Sequence, residues 1–310
     1  MKLLTNLAFW ALALLLSHPA LGQSAKDQAG LAALSAKQLE HTAAKEIFGA
    51  ARIPANLKSR AIGSYAKGCL SGAMEMPEDG AAWQVMRTSR NRNWGHPALV
   101  KLVERLAREA KANDGWNGLM VGDIAQPRGG PMLTGHASHQ IGLDADVWLN
   151  PMPDHKLTQK ERDDISAVSV VKDRKSLNYK VWTEAHARLI RRAASYPEVA
   201  RIFVHPPIKA ELCKWAKGDR SWLAKVRPYF NHTYHFHIRM KCPAGYAGCK
   251  NQAPAAPKDG TGCGEEMAHW MGDVPWKKPK RDPKAKPLKP APALTLAALP
   301  AECRAVVTAP

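Results

Sequence analysis

Thr233-Tyr-His-Phe-His-Ile-Arg-Met240 alternates strictly between apolar and polar side chains. Successive residues of a β-strand face opposite sides, so Tyr234, Phe236, Ile238 and Met240 point one way and His235, His237 and Arg239 the other. A second stretch, Leu143-Asp-Ala-Asp-Val-Trp-Leu149, has the same period and places Asp144, Asp146 and Trp148 on one face. Antiparallel pairing of these strands brings Asp146 opposite His237 across a sheet floor. Just upstream lies His136-Ala-Ser-His139-Gln-Ile-Gly142, and His232 precedes the other strand. A catalytic zinc site takes three protein ligands from imidazole and carboxylate and leaves a position open for water. Two histidines and one aspartate from these segments supply such a set, and the remaining histidines are free for acid–base work.

Further strands are expected at Leu119–Ile124 and Arg201–Val204. Helices are expected at 32–48, at Pro97–Lys111 with Pro early and an apolar face, at Val181–Ala194, at Ile208–Trp215 and at Trp222–Val226. The helix at 32–48 reads as peripheral. From Val274 to Pro300 the composition turns to Pro, Lys and Ala, which predicts an extended, polyproline-like run.

Met1-Lys2, the apolar run Leu3–Leu16 and the small residues up to Gly22 have the pattern of a secretory leader, with cleavage expected after Gly22. The run is shorter than the roughly 20 apolar residues that span a bilayer, so no stable membrane insertion is expected after cleavage. The division expected is therefore a leader at 1–22, one catalytic domain at 23–273, and a Pro/Lys-rich tail at 274–310. All six cysteines follow the leader. An even count in an oxidising compartment predicts three disulfides, and no CxxC pair suggests a metal. Cys242 and Cys249 are spaced for a short clip. The formal net charge is +18. That favours polyanionic surroundings, and with export and no nucleic-acid-binding signature the expected partner is an anionic cell wall rather than nucleic acid.

The run HxxHxxGxDxD at His136–Asp146 and HxxHxH at His232–His237 resemble the metallopeptidase group that includes lysostaphin-type endopeptidases, D-Ala-D-Ala peptidases and the hedgehog signalling domain. Gly122-Asp-Ile-Ala-Gln-Pro-Arg-Gly-Gly130, Val181-Trp182, Arg201-Ile-Phe-Val204, Lys225-Val-Arg-Pro-Tyr-Phe230 and Arg239-Met-Lys-Cys-Pro243 narrow the resemblance to the penicillin-insensitive murein endopeptidases of the Gram-negative periplasm. It covers nearly all of the chain after the leader, and it implies an α+β fold of the hedgehog and D,D-peptidase kind, with a small antiparallel sheet carrying the metal and helices around it. The resemblance implies His139, Asp146 and His237 as zinc ligands. It places His136, His232 and His235 along the same cleft, with His235 as general base and His232 sharing that work or stabilising the oxyanion. Asp144 is expected to orient a ligand rather than bind metal. His136 and Asp173 are the candidates for a second, weaker metal position. There the family uses an Asp-x-x-His pair, whereas this chain reads Asp173-Arg-Lys-Ser176 and lacks the histidine, which argues against a stable second zinc. The resemblance also implies the bridges Cys69–Cys303 and Cys213–Cys263, the first tying the tail back to the body.

The implied activity is hydrolysis of the D-alanyl–meso-diaminopimelyl cross-link of peptidoglycan in the periplasm. The alternatives are a zinc-containing wall-binding protein of the same fold without turnover, and a D,D- or L,D-carboxypeptidase. A serine mechanism is disfavoured: Ser64-Tyr-Ala-Lys67 and Ser169-Val-Val-Lys172 fit SxxK, but no KTG motif accompanies them.

Overall fold

A computed structural model describes residues 35–277 and 292–310. The leader and the stretch 278–291 of the Pro/Lys run lie outside the described residues. In chain order, the short helices α1 (Ala36–His41) and α2 (Ala44–Ala50) lead into the hairpin β1 (Arg60–Ser64) and β2 (Lys67–Ser71). Next come β3 (Met74–Glu75), β4 (Asp79–Gly80), β5 (Trp83–Val85), β6 (Trp94–Gly95), helix α3 (Pro97–Asn113), β7 (Leu119–Val121) and β8 (Asp144–Pro151). Helix α4 (Gln159–Asp164) and the hairpin β9 (Val171–Asp173) and β10 (Ser176–Leu177) precede α5 (Glu184–Ser195), β11 (Val199–Val204) and α6 (Pro206–Trp215). The described chain closes with β12 (Val226–Pro228), β13 (His235–Met240), α7 (Glu265–Met271) and α8 (Cys303–Thr308). The fold is α+β.

The main sheet has seven strands in the order β12-β11-β13-β8-β7-β5-β4. Its centre, β11-β13-β8-β7, is antiparallel as expected. The sheet is larger than expected and mixed, because β12 joins β11, and β5 joins β7, in parallel. Parallel neighbours need a long crossover, usually helical. Here α6 supplies the crossover from β11 to β12, and α3 the one from β5 to β7.

Helix α3 starts where expected. Pro97 fills its first turn, and the His96 side chain caps Ala98 N at 3.2 Å. Its stripe Leu99, Leu102, Val103, Leu106 and Ala110 is buried against the sheet. Helix α5 begins at Glu184 rather than Val181, because Thr183 and His186 form a capping box that stops the backbone there. The helix expected at Trp222–Val226 is a 3-10 turn at Ser221–Lys225.

The helix expected at 32–48 is broken in two at Thr42–Ala43, where the chain instead pairs with the returning C-terminal segment through an Ala43–Thr295 bridge. Behind that bridge a second, smaller core forms from Ile47, Phe48, Ile62, Leu296, Leu299, Cys303 and Val306. Val274–Trp276 is likewise a 3-10 turn rather than extended chain. Disulfides join Cys69 to Cys303, Cys213 to Cys263 and Cys242 to Cys249.

Candidate active site

The register of β8 and β13 sets the floor of the site: His237 lies opposite Asp146, Arg239 opposite Asp144 and His235 opposite Trp148. Because side chains alternate, all six share one face. The loop from β7 to β8 delivers His136 and His139 to that face. His139 has the left-handed φ of 66°, and Gly142, with φ 67°, turns the chain back into β8.

Asp144 is fully buried and serves as scaffold. It accepts hydrogen bonds from His237 Nε2 at 2.8 Å, Arg239 Nε at 2.8 Å and the His139 amide at 3.0 Å. Burial opposes its charge, but His237 and Arg239 overcome that and hold its carboxyl well below the usual range. The Arg239 guanidinium is itself stacked over Tyr65 at 4.2 Å.

These contacts fix the histidine tautomers. Since Asp144 is ionised, His237 Nε2 carries the proton and its Nδ1 is a bare lone pair, facing Asp146 Oδ1 at 3.4 Å. His139 Nδ1 lies 2.6 Å from the Ile124 carbonyl, which can only accept, so its Nε2 is the bare nitrogen, 3.5 Å from the same Asp146 oxygen. His139 Nε2 and Asp146 Oδ1 are buried without any hydrogen-bond partner. Burial pushes His237 down to about 4, against the pull of Asp144, so its imidazole is neutral at ordinary pH. Unpaired buried acceptors are costly. His139 Nε2 and Asp146 Oδ1, with the bare His237 Nδ1 facing the same oxygen, converge on one point suited to a cation. Ligands about 2.0–2.1 Å from a tetrahedral zinc stand about 3.3 Å from one another, close to the 3.4 and 3.5 Å seen here. The residues therefore fit such a metal. His136 approaches from above, its Nδ1 3.7 Å from Asp146 Oδ2, and the candidate ligand atoms of His136, His139 and Asp146 lie within 4.8 Å of one another.

His136 is oriented by Asp123, whose Oδ2 is 3.1 Å from His136 Nε2 and also pairs with Arg92 at 2.9 Å and Arg90 at 3.3 Å. His235 Nε2 is 3.7 Å from Asp146 Oδ2, and its Nδ1 has no partner. Burial lowers its basicity, which keeps the ring neutral and able to accept a proton. His232 lies beside it at 5.0 Å between ring centres, with Nδ1 bound to the Phe230 carbonyl at 2.6 Å. Burial takes it down to about 3.

The structure thus brings His136, His139, Asp146, His232, His235 and His237 together. It does not bring Asp173 to them. That residue sits at the exposed end of β9, its carboxylate engaged by Ser176 and the Lys175 amide, with no contact to the histidines among the described residues. The serines of the two SxxK runs are also elsewhere. Ser64 and Lys67 close the β1–β2 turn, and the Ser169 hydroxyl donates to the Val171 carbonyl.

Asp123 was quoted in the motif beginning at Gly122 but given no role by sequence reasoning. The cleft beside Asp146 and His235 is further lined by Arg87, Arg90, Trp148 and Tyr234. Strand period gave advance signal for Trp148 alone. It put Tyr234 on the face opposite His235, yet Tyr234, which precedes β13, also lines the cleft.

The family model described as penicillin-insensitive murein endopeptidase matches residues 61–308. A protein of that name from Haemophilus influenzae is 48% identical over 216 residues, 69% of this chain and 74% of its own. Those from Klebsiella pneumoniae and Yersinia enterocolitica are 39% and 40% identical, covering 82% and 80% of this chain and 88% and 85% of theirs. The chain belongs to the penicillin-insensitive murein endopeptidase family.

Proposed function

We propose that this protein is a zinc D,D-endopeptidase that hydrolyses the D-alanyl–meso-diaminopimelyl cross-link of peptidoglycan in the periplasm, on the fold of the hedgehog and D,D-peptidase group, after export by the leader at 1–22. The observation that carries the reading is the convergence of three bare acceptors, His139 Nε2, His237 Nδ1 and Asp146 Oδ1, in a cleft that also holds three further imidazoles. Zinc bound there supplies Lewis acidity and lowers the pKa of water. His139, Asp146 and His237 hold it.

The chain's other residues do the remaining work. His235, neutral and unpartnered at Nδ1, takes the proton of the attacking water and returns it to the departing amine. His136, fixed by Asp123, and His232 flank the carbonyl oxygen as charge builds on it. His136, His232 and His235 are more imidazoles than a wall-binding protein without turnover needs, which favours catalysis. No serine is acylated on this route, consistent with indifference to penicillin.

Digestion of purified sacculi tests the reading. Loss of cross-linked muropeptide dimers is expected, abolished by chelator, restored by zinc and unaffected by penicillin. His235→Ala is expected to retain the metal and to lose about two to four orders of magnitude in kcat. Metal loss in that variant would exchange the roles of ligand and base.

A further inference from the structure

We propose that Arg87, with Arg90 beside it, is the specificity-determining group of the cleft: it binds the substrate carboxylate borne by the carbon next to the scissile nitrogen. This rests on the peptidase reading above.

The cationic wall is more positive than its partners require. Arg90 and Arg92 both bind the single Oδ2 atom of Asp123, which also holds His136. Arg87 makes no salt bridge among the described residues, although its charge helps hold the Asp163 carboxyl below its usual range. Its guanidinium makes one hydrogen bond, NH2 to the Ile165 carbonyl at 3.1 Å, and lies 5.8 Å from the centre of the Trp148 ring. Both Arg87 and Arg90 line the same cleft as Asp146 and His235, and the Arg90 side chain is 47% exposed there.

The backbone is bent to present them. Arg87 and Asn91 bracket the intervening 3-10 turn with φ of 60° and 53°. Left-handed conformations are costly for residues other than glycine, so two in five positions mark a turn held in place by its surroundings. Arg87 N is pinned to the Arg162 carbonyl at 3.1 Å, and Met86 N to that of Val121 at 2.7 Å. An arginine with spare donors, seated on an aromatic ring at a cleft mouth, is suited to two-point binding of a carboxylate.

A D-alanyl–diaminopimelyl cross-link offers such a group. The carbon bearing its scissile nitrogen also carries a free carboxylate, a few bonds from the carbonyl under attack. Binding it at Arg87 and Arg90 orients the amide across Asp146 and His235. It also gives a reason to prefer this bond to an internal amide lacking the charge.

The test uses two cross-linked dimer peptides, one with that carboxylate free and one with it amidated, and full-length protein loaded with zinc. Wild type is expected to cut the free acid with kcat/KM about 10–100-fold higher, the usual scale for charge-assisted hydrogen bonds. Arg87→Gln is expected to lose most of that preference through KM with kcat little changed, while the amidated peptide is cut as before. Arg87→Lys should recover part of the preference.

Equal cleavage of the two peptides by wild type, or an equal loss on both in Arg87→Gln, would overturn the assignment. Calorimetric Kd values for the same peptides separate the two ideas. If neither peptide is cut, the peptidase reading fails, while a tighter Kd for the free acid still supports Arg87 and equal Kd values reject it.

Discussion

Two buried polar regions of the molecule are treated in opposite ways. At the sheet centre, Asp144 is surrounded by donors until its acceptor capacity is used, while neighbouring His139 Nε2 and Asp146 Oδ1 are left bare and aimed at one spot. Between α6, the 3-10 turn after it and the segment before α7, Lys209 is buried without any bonded carboxylate. Its ammonium donates to the carbonyls of Leu223 at 2.6 Å and Thr261 at 2.7 Å. Glu266, Asp259, Arg227 and Arg220 surround it without a salt bridge to it. The difference teaches how to separate a binding site from a structural oddity when both are buried and polar. Unsatisfied lone pairs that converge ask for a cation from outside. A cation capped by main-chain oxygens asks for nothing, and its cost is carried by the fold.

The largest effect is expected at the convergent set. Replacing His139, Asp146 or His237 by Ala removes one of three ligands, so bound zinc by elemental analysis and sacculus digestion should disappear together. Stoichiometric zinc in all three variants would erase the contrast with Lys209.

Lys209 comes next. Burial pulls it down to about 7 from its ordinary 10.5. Below about pH 7 it is protonated both folded and unfolded, and the fold bears the full cost. Between that pH and 10.5 only the unfolded chain keeps the proton, so its contribution to stability rises with pH and then levels. Comparing denaturant unfolding of wild type and Lys209→Met should show wild type gaining about 3 kcal/mol relative to the variant between about pH 6 and pH 9. Parallel pH profiles would mean Lys209 is not held as described.

The smallest effect sharpens the role of Asp144. Asp144→Asn keeps all three ligand atoms but removes the charge that sets the His237 tautomer, so zinc affinity by competition with a chelator should fall about 10–100-fold. A complete loss of metal would instead make Asp144 a ligand.

The pairing of His237 with Asp146 was legible because two alternating segments declare their faces, and a shift of one residue would have put the imidazoles against the core. The same alternation put Asp144 on the Asp146 face, while its role as an orienting group came from the family resemblance. The sheet's width was not: β4 and β5 are two and three residues long, too short for any period to register. The split between α1 and α2 was hidden because the cause is a partner strand contributed from Thr295. Asp123 was visible only as part of a motif, since its meaning depends on its own loop folding His136 back onto it and on the segment carrying Arg90 and Arg92 arriving beside it. Arg87 carried no signal among so many basic residues until the turn that presents it was seen.

The three disulfides are nested: Cys69–Cys303 encloses Cys213–Cys263, which encloses Cys242–Cys249. A chain oxidised as it emerges meets its cysteines in order, and joining neighbours as they appear would couple Cys69 to Cys213 and Cys263 to Cys303. Only the innermost clip survives such a sequence. Correct maturation must therefore either hold Cys69 reduced until almost the whole chain is out, or undo early errors by thiol exchange. On the exported route proposed above, the second course would call for a catalyst of disulfide rearrangement rather than of simple oxidation.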